Sequence, residues 1–316
     1  MAYRLAVTTA AATFVLILFG GLVTNTGAAL AVPDWPTTFG RNMFLYPWSA
    51  MVGGIFYEHS HRLLGALVGL LTLALAAVLW RAGRPLRVLG LLAVAAVIVQ
   101  GVLGGLRVVL LQETLAIVHG CLAQAFFVLL VTIAFLVSRA PRVPLAAGID
   151  PALRGLSVAA VALLYLQIVF GALLTHAGRI DLHLAGAVLV FALVPIVTAR
   201  ARRTGDAIAG PTARLLLALL GLQLLLGIGS YLARFTSIAL PGEQLTVLVL
   251  PVTHRLVGSL LLAAATVLAL RVHEAAAASV HHAAPGVSSA GELPSAGDPA
   301  PTGDARLATP ARHPLP

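Results

Sequence analysis

The chain has 316 residues, of which 59% are hydrophobic and 10% charged, and its mean hydropathy is +0.99. That composition excludes a soluble domain and describes a polytopic membrane protein. The net charge of +9 comes from 20 arginines, with no lysine, against 11 acidic residues. The arginines gather between apolar runs, so the charge is a topology signal and not a nucleic-acid surface.

A spanning helix needs roughly 20 mainly apolar residues. Eight such runs follow along the chain, near 6–28, 58–80, 87–110, 115–137, 153–175, 182–200, 212–234 and 248–272. The first, with Arg4 before it and Ala29-Leu30-Ala31 after it, imitates a signal peptide. It is longer than a signal's apolar region and recurs later, so it reads as a retained helix. The connection over 29–57 carries Trp35, Phe39, Phe44, Tyr46 and Trp48. Such aromatics form an interfacial belt or cap a pocket at the membrane face.

Arg4, the group Arg81, Arg84 and Arg87, the group Arg139, Arg142 and Arg154, the group Arg200, Arg202, Arg203 and Arg214, and Arg271 alternate with lone Arg41, Arg107, Arg179 and Arg234. The richer side is cytoplasmic. Both termini are thus expected in the cytoplasm, with the chain in a plasma or inner membrane. Residues 273–316 are rich in Ala, Pro, Gly and Ser and read as a disordered cytoplasmic tail. His273, His281, His282 and His313 are expected to be solvated there. The single cysteine, Cys121, permits no internal disulfide and no Cys-x-x-Cys-His attachment, so any heme is held non-covalently. It reads as a packing residue.

Even-numbered runs begin at the outer face, and each begins with a histidine: His61, His119, His183 and His254. An ionisable group at membrane depth is costly and points to function. The halves also repeat. His61-Arg-Leu-Leu-Gly answers His254-Arg-Leu-Val-Gly, and Phe-Gly-Gly-Leu-Val-Thr-Asn-Thr-Gly (19–27) answers Phe-Gly-Ala-Leu-Leu-Thr-His-Ala-Gly (170–178). Helices 3, 5 and 7 carry Gln-x-x-x-Gly at Gln100/Gly104, Gln167/Gly171 and Gln223/Gly227. A duplicated four-helix unit accounts for this. It gives an N-terminal half at 1–145, a C-terminal half at 146–272 and the tail at 273–316.

The repeat sorts the histidines into two pairs, His61 with His119 and His183 with His254. Two neutral imidazoles on facing helices suit bis-histidine ligation of heme. Zinc sites place ligands closer in sequence or add carboxylates. Gly65 and Gly258, four residues after their histidines, admit a flat macrocycle or a neighbouring helix. Arg62 and Arg255 reach heme propionates or snorkel to the interface. Glu58 precedes His61 by three residues where Pro251 precedes His254. A carboxylate in one half alone marks that half as the place of chemistry; otherwise it is an interfacial group paired with Arg62. His59 points away from the face of His61 and reads as solvated. His176 stands where the repeat has Asn25, as a polar interfacial group or a contact to a propionate or substrate.

Four stretches in order, Gly-Leu-Val-Thr-Asn-Thr-Gly-Ala-Ala-Leu-Ala-Val-Pro-Asp-Trp-Pro (21–36), Tyr-Glu-His-Ser-His-Arg-Leu-Leu-Gly (57–65), Gln-Gly-Val-Leu-Gly-Gly-Leu-Arg (100–107) and Thr-His-Arg-Leu-Val-Gly (253–258), resemble the heme A synthase family over about residues 10–265. The resemblance implies an all-α integral membrane fold, with eight transmembrane helices in two pseudo-symmetric four-helix bundles. It implies oxidation of the C8 methyl of heme O to the formyl of heme A. His61 and His119 would flank that substrate, Glu58 would assist, and His183 and His254 would hold a resident heme b. Heme O synthase would be the supplier, a heme-copper oxidase the user, and the electron donor is not specified. Some members carry a cysteine pair in the first outer loop; here Val32 stands at one of those places. A non-catalytic carrier of two hemes b is the competing reading, and a transporter with polar groups at a repeat interface is the third.

Overall fold

The computed structural model describes residues 1–138, 150–238 and 240–283, the side chains at 243 and 275–283 excepted. Eight long helices make up most of these: α1 (Ala2–Asn25), α2 (Gly54–Leu79), α3 (Arg84–Leu110), α4 (Glu113–Leu136), α5 (Pro151–Ala177), α6 (Ile180–Arg202), α7 (Ala209–Phe235) and α8 (Glu243–Ala283). Each contains a stretch long and apolar enough to cross a membrane. The shortest, α6, has 23 residues. At ~1.5 Å per residue it rises about 35 Å, enough for a hydrocarbon core of ~30 Å. The protein is therefore an all-α, multi-pass membrane protein.

The largest departure from the sequence boundaries is at α8. It begins at Glu243, carries Pro251 inside it, and runs to Ala283, where the sequence placed its end at 272. The run Ala275–Ala278 explains the extension, since alanine is the strongest helix former. His273 therefore lies on a helix and not in a solvated tail, with Nδ1 2.8 Å from the Ala269 carbonyl. Arg139, Arg142, the boundary at 145–146, the tail from 284 with His313, and the side chains of His281 and His282 lie outside the described residues.

Helix contacts repeat between the halves. Helix α1 packs on α2 and α4, and α3 packs on the same two; α5 packs on α6 and α8, and α7 on the same two. Among the described residues, α2 and α4 do not approach each other closely, and neither do α6 and α8. Each such pair stands diagonally across a ring of four. The halves meet through α1 with α8, α4 with α5, and α4 with α8. Exchanging the halves maps this pattern onto itself.

Each half has its own apolar core. Val68, Leu75, Leu79, Leu130 and Ile133 fill the first; Leu153, Val194, Leu216, Leu261 and Leu268 fill the second. The ends of α1 and α5 also correspond. Gly178 (φ +66°) closes α5 in the left-handed region, and Gly27 (φ +67°) lies just after α1. Such a position favours glycine, which has no Cβ to clash. The Gly178 amide donates to the Leu174 carbonyl at 3.2 Å and that of Arg179 to Leu173 at 3.4 Å, so the last carbonyls of α5 are satisfied.

At the helix ends opposite the histidines, the α6–α7 connection is tied to α8. Arg271 donates from Nε to both Asp206 oxygens at 3.1 Å and from Nη2 to Oδ2 at 2.6 Å. The two side chains are only 3% and 4% exposed. Asp206 Oδ1 also accepts from the Ile208 and Ala209 amides at 3.0 and 2.7 Å, capping α7. Burial pushes the Asp206 carboxyl up, but Arg271 and these amides outweigh it and hold it below the ordinary range. Its contribution to stability is thus full above the unfolded value of about 3.9 and is lost as pH falls through the depressed folded value. Replacing Arg271 with leucine strands the carboxylate and should cost about 3–5 kcal/mol. Thermal unfolding in detergent checks this: the midpoint should fall, and the fall should shrink in strong acid.

Candidate functional site

All four histidines lie inside their helices. His61 is two turns into α2, His119 nearly two turns into α4, His183 in the first turn of α6, and His254 three turns into α8. The structure brings them together in two pairs. The His61 and His119 ring centres are 6.4 Å apart with planes at 74°. Those of His183 and His254 are 6.1 Å apart with planes at 68°. In each pair the helices are the diagonal ones, so the rings meet across the middle of a four-helix ring.

One device seats all four. A Cβ added to Gly20 on α1 would stand 3.2 Å from Cε1 of His61. The corresponding distances are 3.3 Å from Gly104 on α3 to His119, 3.5 Å from Gly171 on α5 to His183, and 3.1 Å from Gly227 on α7 to His254. Each odd-numbered helix thus supplies one glycine against which the histidine of the next helix lies. Each also presents, four residues earlier, a backbone carbonyl close enough to act on that ring: Leu16, Gln100, Gln167 and Gln223.

Three glutamine side chains join in. Gln167 Nε2 is 3.2 Å from His183 Nδ1 and donates to the His183 carbonyl at 2.9 Å. Gln100, with its amide oriented to satisfy both ends, repeats this on His119 at 3.1 and 3.2 Å, and its oxygen accepts from the Ala123 amide at 3.1 Å. Gln223 Nε2 is 3.2 Å from His254 Nε2. The sequence displayed these residues as Gln-x-x-x-Gly without revealing their task. The signal was there: the motif stands once on each odd-numbered helix except the first.

Each pair offers two imidazoles. Among the described residues no three His, Cys, Asp or Glu side chains gather as a metal site would need. A porphyrin, which brings four nitrogens of its own, needs only two such side chains. A metal bonded to nitrogen at ~2.0–2.1 Å lies roughly 3 Å from the ring centre, so two axial imidazoles have centres roughly 6 Å apart. Both pairs have that separation. A Cβ at Gly65 would meet nothing within 4 Å, and one at Gly258 would come 3.4 Å from Gln223 Nε2.

Among the described residues the first half alone carries a covering loop, residues 26–53, bonded to the start of α2. Glu58 Oε2 accepts from the Val32 amide at 2.9 Å, and Oε1 accepts from Arg62 at 2.8 Å. Arg62 also donates to the carbonyls of Asp34, Thr37 and Val32 at 2.7, 3.0 and 2.9 Å. The sequence offered Arg62 to a propionate; the structure turns its terminal nitrogens to the loop. Asp34 accepts from the Thr37 hydroxyl and from the Phe39 and Gly40 amides. Burial pushes its carboxyl up, but these donors outweigh that and hold it low. His59 corrects the expectation of a solvated side chain. It is 1% exposed, bonded to the Thr38 hydroxyl at 3.1 Å and packed against Tyr46. Trp35 lies on Gly105 of α3.

Arg255 behaves differently from Arg62. Among the described residues its guanidinium makes no hydrogen bond or ion pair, and it lies against Gly21 of α1, where a Cβ would come 3.6 Å from Nη1. Arg107, at the end of α3, acts electrostatically on both His61 and His119; the sequence had counted it only as a topology charge. His176 and Asn25, equivalent in the repeat, both bridge the halves. His176 Nδ1 is 2.7 Å from Glu113 Oε2, and Arg234 donates to Asn25.

Residues 3–182 match the family model described as cytochrome oxidase assembly protein. The chain belongs to that family. It is also 32% identical over 181 residues to the heme A synthase of Shouchella clausii (strain KSM-K16). That alignment covers 55% of this chain and 58% of the relative. The family match contains His61 and His119 and stops one residue short of His183. The second pair therefore rests on the repeat and on its own geometry.

A side chain at 105 tests how the cover is seated. Gly105→Ala places a methyl group into the Trp35 indole, and overpacking of this kind costs about 1–3 kcal/mol. Limited proteolysis of intact protein should show cleavage within 29–53 several times faster than in the wild type. Unchanged cleavage would mean that Trp35 does not anchor the cover.

Proposed function

We propose that this protein is a heme A synthase, oxidising the C8 methyl of heme O to a formyl group. The observation that carries the reading is the pair of imidazole clamps at bis-axial separation, one in each half, in a chain related to a heme A synthase. In this reading His61 and His119 hold the substrate heme, and His183 and His254 hold a resident heme b. A bound heme iron would supply the redox chemistry, with the oxidant that takes the four electrons lost by the methyl group and the source of the formyl oxygen both coming from outside the chain.

The assignment of substrate to the first half rests on what that half alone possesses. Glu58 is a buried carboxylate one turn from His61, and the second half has Pro251 in its place. The cover folded over α2 shields this end from water, with Val32 fully buried. Glu58, one turn before His61, is the carboxyl group we assign to take or return a proton there. Arg107 is the cation available to a carboxylate of the substrate, since Arg62 is committed to the loop. Arg255 takes the same part for the resident heme, its planar fork suiting a carboxylate. The remaining proposals follow from this reading and the arginine pattern: both termini cytoplasmic in a plasma or inner membrane, heme O synthase as supplier, a heme-copper oxidase as user, and an outside electron donor.

The near-equality of the two clamps is what a di-heme b carrier would also show. Co-expression with a heme O synthase, followed by extraction and chromatography of the hemes, separates the two. Heme A should accumulate. Heme O left unchanged by a folded, heme b-loaded protein would favour the carrier. Glu58→Gln keeps an oxygen for the Val32 amide but removes the charge. It should retain heme b while heme A formation falls by about 100-fold or more. Full turnover would remove Glu58 from the chemistry.

A further inference from the structure

The four imidazole seats share a glycine and differ in the side chain four residues before it. Superposing the repeats by their glycines places Leu16, Gln100, Gln167 and Gln223 in register, each four residues before Gly20, Gly104, Gly171 and Gly227. All four present a backbone carbonyl to a histidine ring. Three also put a side-chain amide within hydrogen-bond distance of that ring. Leu16 has no polar side-chain atom, so no side chain of α1 meets the His61 ring, and its buried Nδ1 has no hydrogen-bond partner; Nδ1 of His254 is likewise without one, but Gln223 meets that ring at Nε2.

The amides reach more than the ring. Gln100 and Gln167 also donate to the backbone carbonyl of the histidine that each faces. They brace the helical turn and the imidazole together. An amide can turn either end toward a ring nitrogen, and the buried Oε1 atoms of Gln167 and Gln223 have no partner of their own. An acceptor is thus at hand for the N–H that an imidazole keeps when its other nitrogen is a ligand. Groups of this kind orient a ligating histidine, and their loss typically costs about 10–100-fold in affinity.

We infer that Gln100, Gln167 and Gln223 are positioning residues for His119, His183 and His254, and that Leu16 leaves His61 as the deliberately loose jaw of the first clamp. This rests on the reading that the clamps hold hemes. The chemistry agrees with a division of labour: a resident heme needs two braced jaws, and His183 and His254 have them. A substrate must enter and product must leave, and the first clamp has one braced jaw and one unbraced.

The test loads the purified full-length protein with heme b and follows its transfer to an excess of heme-free globin. Two phases are expected, and the fast one should vanish in His61→Ala. Leu16→Gln should slow the fast phase about tenfold or more and shift the low-spin ferric resonance of that heme. Gln167→Leu and Gln223→Leu should speed the slow phase by a similar factor and shift the other resonance. These two variants keep the inference open to refutation if Leu16→Gln fails to fold. Folded variants with unchanged rates and resonances would overturn it. If His61→Ala instead leaves both phases intact, the assignment of heme to this clamp fails first.

Discussion

Each of the four clamp histidines lies with an imidazole edge against a glycine on the preceding helix. Everything at the site depends on that contact. Helices α2 and α4, like α6 and α8, stand diagonally, and among the described residues their backbones do not approach each other closely, so backbone packing between them does not fix where their side chains meet. Gly20, Gly104, Gly171 and Gly227 do so instead. Without a Cβ, α1, α3, α5 and α7 let the rings lie close to their backbones, and the rings then converge at 6.4 and 6.1 Å. An apolar bundle offers such rings no water, so their polar atoms must be met by carbonyls, amides or a bound metal. The glutamines and the backbone carbonyls of the odd-numbered helices meet part of that need.

On this symmetric frame the two halves differ in what covers the clamp. The first has a loop fastened to α2 by Glu58 and Arg62, by His59 with Thr38, and by Trp35 against Gly105. The Glu58–Arg62 pair does two things at once: it satisfies buried loop amides and carbonyls, and it keeps a carboxylate one turn from His61. Val32 is at the centre of this fastening, with its amide on Glu58 and its carbonyl on Arg62. The backbone of Val32 thus fastens the cover by hydrogen bonds alone. Among the described residues, the second half leaves Arg255 without a hydrogen-bonding or ionic partner, facing α1 across the boundary between halves.

Much of this was legible in the sequence, because hydropathy in a membrane chain reports helices directly. The eight apolar runs correspond to α1–α8, and the repeated His-Arg-Leu-x-Gly and Gln-x-x-x-Gly patterns put the histidines in the couples whose rings face each other. The sequence failed where a residue's partner lies far along the chain. For Arg62 the sequence offered a propionate, the interface or Glu58, and the structure pairs it with Glu58, while nothing in its neighbours disclosed the carbonyls of Val32, Asp34 and Thr37. His59 looked solvated because the burying element, the loop with Thr38 and Tyr46, has no periodicity to read. The end of α8 was set too early, since the alanine run that extends it is helix-forming without being strongly apolar. The glutamines were seen as a repeat but not as partners, since the direction of a side chain across a helix interface is not a property of spacing.

The claim on which the account turns is that each clamp binds one heme through both of its imidazoles. The direct measurement is heme stoichiometry together with the low-spin ferric resonances of the purified protein. Two hemes per chain, both bis-imidazole, are expected. His119→Ala should remove one resonance and His183→Ala the other, each leaving its companion unchanged. One heme per chain, or a single substitution that abolishes both signals in a folded protein, would contradict it.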